Sequence, residues 1–176
     1  MAEASLLHTG AGLSVRRVAP ASLWQLRTRL AAPATLAALA AAIGIDALPE
    51  TPCRSAGGNP GVVRKRPGTW MIRGALDADR VRAASPAAHL GEVTDAYMTY
   101  EIGGPRASLL LEKGCFFAVA DALGAPGHTI QTRFAQLPVL IDHVGPHYAL
   151  YAERSYDAYL AEWLIAAAGE PPETPA

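Results

Sequence analysis

The sequence is short of cysteine, of lysine, of net charge and of long apolar runs. Its two cysteines, Cys53 and Cys115, form neither a CxxC pair nor a disulfide framework, as in a protein kept in a reducing compartment. Among 15 basic residues only Lys65 and Lys113 are lysine, a bias that, with the many Ala and Pro, reads as composition and not as function. With 16 acids the net charge is −1, so no long-range field draws the chain to nucleic acid or to an anionic membrane. No stretch approaches the roughly 20 apolar residues that cross a bilayer. The nearest, LAALAAAIGIDAL, is mostly alanine and is broken by Asp46. The opening MAEASLLHTGAG has an acid and no basic segment ahead of an apolar run, so it does not read as a secretory signal. A soluble cytoplasmic protein is the expectation.

Chemical motifs are equally scarce. GAGLSV lacks the third glycine of a dinucleotide loop and precedes the first expected strand. No GxxxxGK[ST] phosphate cradle and no GxSxG nucleophile turn occurs. His143 and His147 stand at the spacing by which a helix presents two imidazoles to a metal, but Gly145 and Pro146 between them favour a turn. His8, His89 and His128 have no ligand-spaced partners, so no metal site is expected.

What the chain has is apolar material, 51% of 176 residues, enough for one compact α+β domain over 1–168. LSVRRV and SLWQLRTR alternate as strands, and PATLAALAAAIG reads as a helix with Pro near its start and Gly past its end. LPETPCRSAGGNPG is a loop, VVRKR and TWMIRG a hairpin turning at Pro67–Gly68, and ALDADRVRAA a short helix. HLGEVTDAYMTYEI then reads as a strand, GPRASLLLEKG as a helix, HTIQTRFAQLPVLIDHV and HYALYAE as strands, and SYDAYLAEWLIAAAG as a closing helix. Corresponding elements lie about 70 to 80 residues apart, which suggests two similar halves, 12–87 and 88–168, of antiparallel strands with packed helices. The tail at 169–176, GEPPETPA without its apolar face, is expected to be disordered.

GPRASLLLEKGC raises the question of a reactive thiol. Pro105 suits the first helical position, Gly114 suits a C-terminal cap, and Leu109, Leu110 and Leu111 supply the buried side. Cys115 then follows a helix C-terminus, whose partial negative charge disfavours a thiolate, and a buried structural cysteine is expected. The run Arg64, Lys65, Arg66 is a candidate contact for an acidic partner, or else a charged guard on an exposed strand. Tyr156, Tyr159 and Trp163 fall on one helical stripe, which is either core or a second candidate contact.

Taken in order, TDAYMTYEIGGPRASLLLEKGC, PGHTIQT, LPVLI and YALYAERSYDAYLAEWL resemble the gamma subunit of heterotetrameric sarcosine oxidase, a relative of the aminomethyltransferase (T-protein) fold. The resemblance covers about Glu92 to Ala168 and touches the first half at TPCRSAG and TWMI. It implies an aminomethyltransferase folate-binding-domain-like fold and a non-catalytic subunit with no cofactor of its own. FAD, FMN, NAD and tetrahydrofolate would belong to larger alpha- and beta-type partners, with a small delta-type subunit beside them. Where such subunits continue after KGC with Pro-Leu-Asp-Leu-His, this chain has FFAVA, placing Ala118 and Ala120 where Asp and His are expected. The implied complex is therefore a sarcosine oxidase or a related secondary- or tertiary-amine oxidase or dehydrogenase. Two alternatives remain: a stand-alone folate-binding module, and an iron–sulfur assembly factor of the same fold. The latter's KGC precedes Gly-Gln-acid, which KGCFFAVAD lacks.

Overall fold

A computed structural model of the chain describes residues 5–19, 22–29, 31–56 and 58–169. The chain forms two compact units, one running from Pro20 to Thr94 and the other built from the residues on either side of it. Strand β2 (Leu13–Val18), which the sequence places in the first half, lies in the sheet of the second. Most of the tail read as disordered lies outside the described residues, and Gly169 is the last residue of a helix.

The inserted unit begins with β3 (Leu23–Arg27) and α1 (Pro33–Ile43), which closes at Gly44 as its sequence indicates. β4 (Ser55–Ala56), β5 (Gly61–Arg66) and β6 (Thr69–Arg73) form an antiparallel meander, with the expected hairpin at Pro67–Gly68. α2 (Ala78–Ala84) starts on Asp77, whose carboxylate accepts from the Arg80 N–H at 3.0 Å, and β7 (His89–Glu92) completes the sheet. The strand order is β4-β5-β6-β3-β7. Leu26, Val62, Ile72 and Leu90 join Leu39, Ile43 and Val81 in its core. The two ends of the unit are tied, because the Leu23 N–H donates to the Thr94 hydroxyl at 2.9 Å.

The second unit joins β1 (Ser5–Gly10) and β2 to β8 (Tyr97–Gly103), β9 (Thr129–Phe134), β10 (Leu137–Val144) and β11 (His147–Glu153) in the order β1-β2-β8-β11-β10-β9. Its helices are α3 (Ala107–Gly114), the short α4 (Val119–Ala122) and α5 (Asp157–Gly169). In both units a strand leads into a helix, a three-strand meander returns beside that strand, and another helix follows. The core holds Met98, Tyr100, Ile102, Leu111, Phe134, Ile141, Leu150, Leu160 and Leu164.

Several boundaries differ from the sequence reading. The single strand expected over HLGEVTDAYMTYEI is two, β7 and β8 in different sheets, parted by a 3-10 turn at Thr94–Ala96. HTIQTRFAQLPVLIDHV is also two strands, turning at Ala135 and Gln136, which adopt φ of 49° and 70° without a glycine. β1 and α4 had no counterpart in the reading. Helix α3 begins after Pro105, not on it: Gly104 at φ 98° packs against the Gly12 carbonyl, which also takes the Arg106 N–H at 3.2 Å. Leu109 is exposed, while Leu110 and Leu111 are buried. Gly114 is helical and the C-cap is Cys115 in extended geometry, its N–H bonded to the Leu111 carbonyl at 3.0 Å. Gly114 has a different job: a Cβ there would stand 2.5 Å from Phe134 Cε2.

Candidate functional site

Each unit sets polar groups against an apolar background. In the second unit Glu112 reaches from α3 to the N-terminus of α4, accepting the N–H groups of Val119 at 2.9 Å and Ala120 at 3.3 Å. These are two of the donors that a helix start leaves unsatisfied, and the carboxylate also suits the positive end of the helix. Nearby on the chain, Cys115 is half-buried. Burial first, and the Glu112 carboxylate second, push its thiol up to about 11. The same two causes, in the same order, raise Tyr148 above the ordinary tyrosine value. His143 stacks at 4.5 Å on Tyr148, and its Nδ1–H donates to the Leu123 carbonyl at 2.6 Å. With a carbonyl as partner, Nδ1 is the protonated nitrogen.

Burial and the Glu112 carboxylate together keep the Cys115 thiol neutral. Glu112 is committed to a helix cap, and the field it sets up opposes a thiolate. At pH 8 a thiol pushed from its ordinary value of 9.0 up to about 11 is ionised on the order of a hundredfold less. Iodoacetamide at pH 8, followed by mass spectrometry of the peptides, should therefore label the exposed Cys53 first and Cys115 at least about tenfold more slowly. Equal rates would show that the sulfur is activated after all. Among the described residues no group of three or more His, Cys, Asp or Glu is placed to hold a metal ion. His143 and His147 flank the Gly145–Pro146 turn of the β10–β11 hairpin.

In the inserted unit a cleft of about 1100 Å³ opens beside α1. Leu36, Leu48, Pro49 and Trp70 line it, with Arg64 from β5. Arg64 and Trp70 are a directly opposed pair of β5 and β6, so their side chains share one face of the sheet. The Trp70 Nε1–H donates to the Pro49 carbonyl at 3.0 Å, which fixes the indole.

The candidate contact residues fall in both units. Arg64 is half-buried in the cleft wall, Lys65 is also half-buried, and Arg66 is exposed with its Nε–H 3.4 Å from the Thr69 hydroxyl. In the second unit Tyr156 ends a 3-10 turn ahead of α5, and only Tyr159 and Trp163 lie on the helix. Tyr159 is exposed, its hydroxyl 3.3 Å from the Ala135 carbonyl, whereas Trp163 stands edge-on to Phe134 at 4.8 Å. The sequence did not single out the cleft, nor Phe116 as a surface side chain, which is 77% exposed.

Two antiparallel sheets, each carrying the same strand–helix–meander–helix order, give the chain an α+β fold like that of an aminomethyltransferase, the fold class expected from the sequence. More particularly, the chain is similar to a chain of the heterotetrameric sarcosine oxidase from Corynebacterium sp. U-96, solved in complex with pyrrole 2-carboxylate. The TM-score is 0.81 at 23% sequence identity, over 93% of this chain and 87% of that one. It is also similar to the glycine cleavage system aminomethyltransferase T from Bartonella henselae, with a TM-score of 0.58 at 17% identity over 90% of this chain. It spans 47% of that protein. No family model and no curated protein matches the sequence. Among the described residues no helix is long and apolar enough to cross a membrane.

Proposed function

We propose that this chain is a non-catalytic gamma-type subunit that stabilises a multi-subunit flavoprotein oxidoreductase acting on sarcosine or a related N-methyl or secondary amine. The observation that carries the reading is the likeness to a chain of a heterotetrameric sarcosine oxidase, which extends over nearly the whole of both chains. It is supported by the chemistry around Cys115, whose thiol is pushed up by burial and by the Glu112 carboxylate. In this reading FAD, FMN, NAD and tetrahydrofolate are bound by larger alpha- and beta-type subunits, a small delta-type subunit completes the complex, and the complex works in the cytoplasm.

The test is to purify a tagged copy from its native cells and record mass and absorbance. A yellow complex containing larger chains is expected; a colourless monomer at native abundance overturns the reading. The exposed aromatics Phe116 and Tyr159 are the proposed anchors of the subunit contact, since rigid aromatic side chains dominate such interfaces. Phe116→Ser should leave the isolated chain folded and weaken assembly by about 2 kcal/mol or more, read as loss of co-purifying flavin. Undiminished flavin in that variant would move the contact elsewhere. The likeness to an aminomethyltransferase also keeps a folate-binding reading in view. Calorimetry of the isolated chain with tetrahydrofolate separates the two, and micromolar binding would favour the module.

A further inference from the structure

We propose that the cleft beside α1 is a binding site for a small ligand with a flat apolar body, one anionic end, and a neutral or cationic opposite end. On the helix-covered face of the sheet Val62, Ile72, Leu26 and Leu90 are buried and apolar. Along β5 and β6 this apolar row ends at Arg64 paired with Trp70. Arg64 is half-buried there and lines the open cleft, so its guanidinium stands at the boundary between the apolar row and solvent. Directly opposed side chains in an antiparallel pair have Cβ atoms about 4.5–5.5 Å apart, so guanidinium and indole form one continuous surface.

That surface is preorganised. The Trp70 indole is held by the Pro49 carbonyl at 3.0 Å and is 5% exposed. Leu36, Leu48, Pro33 and Pro67 add apolar wall. The volume, about 1100 Å³, is at the upper end of small-molecule sites, which run to about 1,000 Å³. A planar guanidinium matches a carboxylate or sulfonate, and the indole edge that reaches the cleft takes the edge of a flat ring. Arg29, exposed beyond β3, adds a second cation to the lining. Asp46 and Glu50, exposed on the loop after α1, line the same cleft and disfavour a second anion. The ligand class is thus a monoanion or a zwitterion, not a polyanion.

The purified full chain would be titrated by fluorescence with 8-anilinonaphthalene-1-sulfonate and, in parallel, with uncharged N-phenyl-1-naphthylamine. A single saturable site for the sulfonate is expected. Arg64→Gln should weaken the sulfonate at least about tenfold while leaving the neutral probe within about twofold, and Arg64→Lys should recover part of the loss. The neutral probe reports that the variant cleft is still formed. Equal weakening of both probes, no weakening of either, or non-saturable binding overturns the proposal. So does loss of both probes' binding when the chain sits in its larger assembly, because the cleft would then be a subunit contact. That arm is read separately from the assembly experiment on Phe116, so either reading can fail alone.

Discussion

Replacing Asp157 by alanine will lower the stability of the protein by about 2–3 kcal/mol and its thermal midpoint by several degrees. Asp157 opens α5, and its carboxylate takes the Arg17 guanidinium of β2 on one oxygen and the Tyr100 hydroxyl of β8, at 2.6 Å, on the other. The Tyr100 hydroxyl also stands 2.9 Å from the Asp157 carbonyl. The ion pair adds to the loss, since its side chains are only 28% and 20% exposed and Arg17 would be left part-buried without its carboxylate. The larger part of the loss comes from the phenol, because Tyr100 is fully buried and would lose its charged acceptor, keeping only the neutral main-chain carbonyl of residue 157. Asp157→Asn keeps an oxygen for Tyr100 and should cost about half as much. Urea unfolding followed by far-UV circular dichroism measures both; losses under about 0.5 kcal/mol for Asp157→Ala would show that the network does not hold α5 to the sheet.

The same phenol makes the fold sensitive to alkali. Burial first, then the hydrogen bond to Asp157 and its charge, raise Tyr100 well above the ordinary value of 10.0, and the opposing pull of Arg17 does not cancel them. Unfolded tyrosine ionises near its ordinary value while folded Tyr100 stays neutral. The stabilisation is therefore complete below about pH 10 and is lost as the pH climbs above it. In Tyr100→Phe the decline of stability above pH 10 should be shallower than in the parent protein.

Gly114→Ala is expected to destabilise by about 2 kcal/mol, against the usual trend for a helix. Helix propensity alone would stabilise the alanine variant by about 1 kcal/mol. Overpacking decides the sign: the new methyl would lie 2.5 to 2.9 Å from three atoms of the Phe134 ring. That ring is fully buried and stands edge-on to Trp163, so it has nowhere to turn. In a Phe134→Leu background, where the ring is gone, the same Gly114→Ala change should become neutral or stabilising. Additive losses in the double variant, measured by urea unfolding, would rule out the ring as the cause.

The elements that the sequence made legible are those with backbone punctuation. Pro33 and Gly44 bracket α1, and Pro67–Gly68 turn the β5–β6 hairpin. Where punctuation is missing the boundaries could not be read. Ala135 and Gln136 make a tight turn with ordinary side chains, and Thr94–Ala96 switch the chain between sheets with neither Gly nor Pro. Three consecutive leucines do not say which one faces water; the pitch of α3 and its tie to the Gly12 carbonyl leave Leu109 outside. The cleft was hidden for a related reason. Arg64, Lys65 and Arg66 look equivalent as a charged run, but a register shift between Arg64 and Arg66 sets Arg64 across from Trp70 on the inner face.

The insertion of one unit into the other sets an order of events during synthesis. When Thr94 has been made, residues 20–94 hold every strand of their own sheet, and the bond from Leu23 to Thr94 can close it. The β1–β2 ribbon, already made, has no such completion, because the neighbour of β2 is β8. At roughly 5–20 residues per second, the ribbon waits on the order of several seconds with the inner edge of β2 unpaired as well as the outer edge of β1. Unpaired edges are where chains associate wrongly, so the charged pair Arg16 and Arg17 on β2 protects the nascent chain before Arg17 ever meets Asp157.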